Sequence, residues 1–101
     1  MRRPVIRFEW DDEKNRLNKS KHGVSFEIAT QIWNDENYLL IPDTIYEGEQ
    51  RWIAIGSVTI MTVLIAVHTS VDARGVETIR IISARHATKH ERKRYEQSSF
   101  D

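Results

Sequence analysis

Cysteine is absent from the 101 residues of this chain. Disulfide bonds and thiolate chemistry are therefore excluded. Long apolar runs are also missing, since no stretch approaches the roughly 18 consecutive apolar residues that a membrane-spanning helix requires. The first residues, Met1–Pro4, include two arginines but lead into no apolar segment of the kind found in secretory signals. We expect a soluble protein that acts in the cytoplasm.

Glycine is scarce, with four residues, and never forms a phosphate-binding pattern. The sequence contains no Gly-rich phosphate loop, no Gly-x-Ser-x-Gly element and no dinucleotide-binding fingerprint. The motifs that identify nucleotide-binding and serine-hydrolase sites are thus lacking.

The net charge is zero, yet the charge is unevenly distributed along the chain. Residues 1–34 sum to +2, residues 35–50 to −5 and residues 51–101 to +3. A nucleic-acid binder of this composition would need a local basic patch rather than an overall positive field. Apolar residues make up 40% of the chain and occur in concentrated runs, which predicts one folded domain over residues 1–101.

A helix is predicted over Asp12–His22. The carboxylates of Asp11 and Asp12 can cap its first backbone N–H groups and favour the positive end of its dipole. Cations fill its last turn, and Gly23 can adopt the left-handed conformation that ends a helix. Ser25 then offers an N-cap for a second helix.

The second helix is predicted over Phe26–Trp33, with its apolar residues on one face. The two helices would form a helical hairpin whose corner presents Lys21 and His22 next to a glycine turn. The C-terminal position would stabilise the imidazolium of His22, while the neighbouring lysine opposes this. Proton transfer by His22 and a merely structural histidine at a helix end are about equally compatible with these residues.

The rest of the chain predicts strands joined by turns and a charged C-terminal helix. The strands are expected at Val5–Trp10, Tyr38–Ile41, Arg51–Val58, Thr62–Thr69 and Val76–Ala84, and the helix at Thr88–Gln97. Pro42 ends the second strand, an acidic loop covers Asp43–Gln50, and turns are expected at Thr59–Met61 and Asp72–Gly75. Together they predict an α+β domain built around an antiparallel meander, with Thr62–Thr69 as the central strand.

The last strand contains two arginines, Arg80 and Arg85, next to isoleucines. A planar guanidinium binds phosphate through two hydrogen bonds, so one interpretation is a phosphate clamp. The alternative, favoured by residue types alone, is ion pairing to the acidic loop or snorkelling at the sheet ends. Simple alternation places the two arginines on opposite faces of the sheet, so they share a cleft only if the strand bends between them.

His86 and His90 are four residues apart, the spacing of zinc ligands on a helix. The glutamate of a His-Glu-x-x-His pattern is absent and no third ligand is evident. A metal site is therefore disfavoured, and no cofactor is expected. The basic cluster of Lys89, Arg92, Lys93 and Arg94 is interpreted as a solvated helix face, with binding of an RNA backbone as the minority interpretation.

Several motifs in order resemble one family. They are Phe8-Glu9-Trp10-Asp11, Lys21-His22-Gly23-Val24-Ser25-Phe26, Gly48-Glu49-x-Arg51 with Ile55-Gly56, Arg80-Ile81-Ile82-Ser83-Ala84-Arg85 and Glu91-Arg92-x-x-Tyr95. Together they resemble the BrnT family of bacterial toxins. The resemblance implies a RelE-like ribonuclease fold, RNA cleavage that halts translation, and neutralisation by a BrnA-like antitoxin with a ribbon-helix-helix domain. It also implies that the toxin–antitoxin complex represses its own promoter. The turn at Thr59–Met61 departs from the family pattern because it lacks glycine.

On this resemblance, the site is expected to work without metal, because RNA supplies the 2′-hydroxyl nucleophile. Proton transfer is assigned to His22, and phosphate binding and charge stabilisation to Lys21, Arg51, Arg80 and Arg85, of which Arg85 is preferred over Arg80. Lys19 and Tyr95 are expected to contact RNA, the latter by stacking on a base or by a hydrogen bond to the backbone. The alternative is a non-catalytic module that docks a DNA-binding antitoxin and serves as co-repressor.

Overall fold

The computed structural model describes residues 5–99. The elements, in chain order, are β1 (Val5–Glu9), α1 (Asp12–His22), α2 (Phe26–Ala29), a 3-10 helix (Thr30–Asn34), β2 (Leu39–Tyr46), β3 (Glu49–Thr59), β4 (Thr62–Ala73), β5 (Val76–His86) and α3 (Lys89–Ser99). The five strands form one sheet in the order β1-β5-β4-β3-β2. Strands β2 to β5 form the predicted antiparallel meander, and β4 is the middle strand of the five-stranded sheet, as expected. The sheet differs from the predicted meander in one respect, because β1 adds to it by parallel pairing with β5.

The bounds and both ends of α1 are as predicted. The Asp11 carboxylate accepts a hydrogen bond from the Lys14 N–H (2.9 Å). Gly23 adopts φ 71°, and its N–H donates to the carbonyl of Lys19 at 2.8 Å. A side chain with a Cβ would be strained at this φ, so the glycine sets where the helix ends.

The second predicted helix is split. Ser25 is its N-cap, as expected, with its hydroxyl accepting from the Ile28 N–H at 3.2 Å. After Ala29 the chain tightens into the 3-10 helix, and the Thr30 hydroxyl donates to the carbonyl of Glu27 at 2.6 Å. The predicted apolar face is nonetheless buried in the sheet core, with Ala29 and Ile32 fully inaccessible.

The prediction of an acidic loop over Asp43–Gln50 is wrong, because most of these residues lie in the paired strands of the β2–β3 hairpin. Strand β2 continues past Pro42, with a register irregularity before Ile45. A proline is tolerated there because β2 is an edge strand. The reversal itself takes two residues, Glu47 and Gly48, with φ values of 50° and 78°. Positive φ at both positions is the backbone conformation of a tight hairpin turn.

The β3–β4 reversal falls at Ile60 and Met61, inside the predicted turn. Both side chains project from the sheet, with 98% and 77% exposure. The β4–β5 turn is narrower than predicted and comprises Arg74 and Gly75. Residues 63–66 of β4 are buried on both faces, as expected for the central strand.

The helices at the N-terminal end cover one face of the sheet, called here the helix face. Its core contains Phe26, Ala29 and Ile32 from the helices, packed on Leu64, Ala66, Ile79, Ile81 and Ala84 from the sheet. The other face, called here the open face, is partly covered by α3. There Tyr95 packs with Ile55, Val63 and Ile65. No helix within residues 5–99 is long and apolar enough to cross a membrane.

Candidate functional site

A β-bulge in β5 determines where its arginines point. Val67 lies opposite Ser83 and His68 lies opposite Ile81, so Ile82 is an extra residue in β5. The bulge shifts the alternation of side chains by one residue. The expectation that Arg80 and Arg85 lie on opposite faces is therefore wrong.

The register shows that both arginines are on the open face. Arg85 lies opposite Ile65 and Arg80 lies opposite Thr69. Residues directly opposite each other in an antiparallel pair share a face, and positions 65 and 69 share a face by alternation. The two arginines thus lie on one surface, about 13 Å apart along the strand direction.

Arg51 of β3 lies on the same face. Ile53 is opposite Val67 and Trp52 is opposite His68, so continuing the register by one residue brings Arg51 opposite Thr69. Arg51, Thr69 and Arg80 thus form a line across β3, β4 and β5, which we call the transverse row. Adjacent strands are about 4.8 Å apart, which puts the Cα atoms of the two arginines about 10 Å apart. Two side chains of this length can reach one phosphate placed over Thr69.

The two arginines of the transverse row differ in their surroundings. The guanidinium carbon of Arg51 lies 4.4 Å from the ring centroid of Tyr46. This is a cation–π contact, in which the aromatic ring attracts the guanidinium and orients it. Arg80 is exposed and makes no ion pair with any residue of the described range. An anion over Thr69 would therefore meet one oriented guanidinium and one that is free to move.

Arg85 is occupied by a carboxylate of α3. Its two terminal nitrogens donate to the two oxygens of Glu91 at 2.8 and 2.9 Å. The hydrogen bonds from Arg85 lower the pKa of Glu91 to about 2, against the opposing effect of burial. Glu91 also caps α3 reciprocally with Thr88, accepting from its N–H at 2.9 Å and donating its own N–H to the threonine hydroxyl at 3.2 Å. The partner of Arg85 is thus α3 and not the acidic segment considered from sequence.

Tyr95 has a structural position. It is 8% exposed, and its hydroxyl donates a hydrogen bond to the carboxylate of Asp35. Desolvation opposes ionisation of Asp35, but the hydrogen bonds from Tyr95 and from the N–H groups of Ser57 and Asn37 outweigh it and lower its pKa. In this arrangement Tyr95 fastens α3 to the sheet, and stacking on a base would require α3 to move.

The cations at the end of α1 are not part of the transverse row. Helix α1 lies along β5, where Asn18 bonds to the backbone of Ala84 at 2.7 and 3.1 Å. Lys19 and Lys21 are exposed and His22 is half-buried. No hydrogen bond or ion pair within residues 5–99 links these three side chains to the arginines of the open face.

The two C-terminal histidines do not share a helix. His86 ends β5, whereas His90 lies in the first turn of α3. In the part of the chain that the structure describes, no three His, Cys, Asp or Glu side chains converge as metal ligands would.

Sequence reasoning missed four polar residues of the open face. Glu9 is the register partner of Arg80, and Arg7 is the partner of Thr78 in the same parallel pair. Ser83 lies opposite Val67, and Glu49 shares the face of Arg51 by alternation. Alternation along β3 could have indicated Glu49. The others depend on the parallel pairing of β1 and on the bulge, which no local pattern signals.

Comparisons with known proteins identify the family. Residues 10–91 match the sequence model of a family described as ribonuclease toxin, BrnT, of type II toxin–antitoxin system. The fold is similar to the 1.1 Å crystal structure of the Brucella abortus ribonuclease toxin BrnT, with a TM-score of 0.63 and 22% sequence identity. That match covers 84% of this chain and 99% of the Brucella chain. No curated protein matches the sequence. Because the family match spans most of the sequence, the chain belongs to the BrnT family of ribonuclease toxins of type II toxin–antitoxin systems.

Proposed function

We propose that this protein is an endoribonuclease that binds RNA on the open face of its sheet and cleaves it without a metal ion. The observation that supports this most directly is the convergence of Arg51 and Arg80 on either side of Thr69. The fold would be of the RelE-like type, with the N-terminal helices as a hairpin. The consequence in the cell would be inhibition of translation in the cytoplasm.

The chemistry needs no external nucleophile. The RNA 2′-hydroxyl oxygen attacks the adjacent phosphorus, the bond from phosphorus to the 5′-oxygen breaks, and a 2′,3′-cyclic phosphate and a 5′-hydroxyl result. One proton leaves the 2′-oxygen and one reaches the 5′-oxygen. Arg51 and Arg80 would stabilise the charge that accumulates on the phosphoryl oxygens, because arginine stays protonated at any working pH.

The proton transfers require other groups, because a guanidinium cannot act as a base. His22, with Lys21 beside it and Lys19 one turn earlier, is the assignment from sequence. The carboxylates of Glu9 and Glu49 share the open face with the arginines. Arg85 would contribute to phosphate binding after its release from Glu91, and Tyr95 to base contact after movement of α3.

Cleavage of a single-stranded RNA by the purified protein in excess EDTA tests the proposal. We expect products with 5′-hydroxyl ends, and a rate about 100-fold lower for Arg51→Ala and for Arg80→Ala, the loss typical of a removed transition-state contact. The matched control is Arg74→Gln, which changes an exposed arginine in the β4–β5 turn. Full activity of both alanine variants, or a rate that collapses in EDTA, contradicts the proposal.

The pH dependence of the rate identifies the base. His22→Ala, Glu9→Gln and Glu49→Gln are compared across pH, and the variant that abolishes the acidic limb of the profile marks the proton acceptor. A chain that binds RNA but never cleaves it would instead be a non-catalytic partner-binding module.

Membership of a type II toxin–antitoxin family implies an antitoxin partner. We propose that this antitoxin is BrnA-like, with a ribbon-helix-helix domain that contacts promoter DNA, and that the toxin reaches DNA only through it. Co-expression with the adjacent reading frame should abolish growth arrest caused by the toxin alone. A neighbouring gene product without DNA-binding activity would contradict the ribbon-helix-helix assignment.

A further inference from the structure

A cavity of about 300 Å³ opens on the helix face, away from the arginines. Its aromatic walls come from Trp33 in the 3-10 helix, from Tyr38 just before β2 and from Trp52 of β3. The ring centroids of Trp33 and Tyr38 are 6.1 Å apart. Three aromatic side chains, one of them from the sheet, thus surround one concave site.

The polar wall of this cavity is acidic. Asp72 and Glu77 lie directly opposite each other on β4 and β5, and both line the cavity. Like charges in this cross-strand position repel each other. Ser70 donates a hydrogen bond to Glu77 at 2.6 Å, but neither carboxylate has an ion-pair partner within residues 5–99. No lysine or arginine of the described residues lines the cavity.

The histidine in the cavity wall does not supply the missing positive charge. His68 is 1% exposed, and its ring meets Trp33 edge-on with centroids 4.9 Å apart. Burial lowers the pKa of His68, although the Ala66 carbonyl and Glu77 act in the opposite direction. The imidazole is therefore neutral near pH 7, and the two carboxylates stay uncompensated.

We propose that this cavity binds an organic cation, a guanidinium or alkylammonium group, between Trp33, Trp52 and the Asp72–Glu77 pair. Aromatic faces attract such cations through their quadrupole. The carboxylates of Asp72 and Glu77 add a negatively charged partner for the cation. The site is independent of the proposed ribonuclease activity because it lies on the opposite side of the sheet.

The three tryptophans allow a direct test by NMR of the full-length protein. Each indole N–H gives one signal, and agmatine or the tripeptide acetyl-Gly-Arg-Gly-amide is titrated to millimolar concentration. We expect the signals of Trp33 and Trp52 to shift with saturation. The signal of Trp10 should stay in place, because Trp10 does not line the cavity. Its ring packs on Phe26, with the two ring centroids 6.2 Å apart. If the tripeptide binds more tightly, the natural ligand is the side chain of a protein. If agmatine binds more tightly, the natural ligand is a free small molecule.

Matched variants separate this site from general surface charge. Asp72→Asn and Glu77→Gln should each weaken binding about fivefold, the upper end of the effect of one lost ion pair near the surface. Asp43→Asn, which removes an exposed carboxylate of β2, should leave the affinity unchanged. Unfolding curves of the variants confirm that each is folded. The proposal is overturned if no indole signal shifts, if Trp10 shifts together with the others, or if the three variants bind equally.

Discussion

The substitution Asn18→Ala should destabilise this protein more than any other polar change in α1. Strand β1 pairs with β5 only as far as Arg80, which leaves the outer edge of the following residues without a strand partner. Asn18 takes that place, accepting from the N–H of Ala84 at 3.1 Å and donating to its carbonyl at 2.7 Å. The same amide donates to the Val24 carbonyl at 2.8 Å and so also fixes the turn after α1.

The magnitude follows from these three hydrogen bonds. Asn18 is 8% exposed, so water replaces the lost bonds poorly. At about 1 kcal/mol for each bond, the free energy of unfolding should fall by about 3 kcal/mol. The midpoint of thermal unfolding should then fall by roughly 15 °C, given the scaling for a domain of this size. Asn18→Asp should be at least as damaging, because it loses both donors and brings a carboxylate to two carbonyl oxygens.

Urea unfolding followed by circular dichroism measures this change. Ser20→Ala, on the exposed side of the same helix, is the control and should alter the free energy by no more than about 0.5 kcal/mol. If Asn18→Ala lowers the free energy of unfolding by less than about 1 kcal/mol, the amide is not the partner of the β5 edge.

Three further substitutions test how the 3-10 helix and α3 are held to the sheet. Gly56→Ala would place a Cβ 2.9 Å from Cγ2 of Ile32 and should lower the free energy of unfolding by about 1–3 kcal/mol in urea titrations. Glu91→Gln removes a carboxylate whose folded pKa of about 2 lies below its usual value, so the stability it contributes is present above about pH 4.5 and lost as the pH falls towards 2. At pH 7 the free energy of unfolding of the wild type should therefore exceed that of this variant by about 1–2 kcal/mol. The difference should vanish near pH 2, as measured by urea titrations at each pH. Tyr95→Phe loses a hydrogen bond to a carboxylate and should cost about 2 kcal/mol in thermal unfolding, whereas an unchanged midpoint would show that α3 is held by other contacts.

Local sequence patterns predicted the helices and most strands well. The cap at Asp11, the glycine at position 23 and the N-cap at Ser25 act through bonds to residues three or four positions away, so their effect can be read locally. The family resemblance was also visible from the order of the motifs, and the family match confirms it. The strand through Pro42 was missed. Proline ends a strand only where a neighbouring strand would need the backbone N–H that proline lacks.

The site residues named from the sequence stay predictions. The arginines of the last strand were identified as phosphate-binding candidates from their chemistry, and they remain proposals for that role. Their arrangement could not be predicted, because one extra residue at Ile82 reverses the face on which every following side chain lies. The preference for Arg85 over Arg80 also came from sequence, whereas the geometry favours Arg80, since Arg85 is paired with Glu91.

The sequence by itself determined both ends of α1, the start of α2, which strand is central and which family the chain resembles, because those features depend on neighbouring residues and on residue type. The tertiary structure decided which side chains meet. It placed β1 parallel to β5, brought Arg51 and Arg80 to either side of Thr69, and set Asp72 against Glu77 in an aromatic cavity. These contacts join residues far apart in the chain, and they are fixed by register and by the packing of the whole sheet.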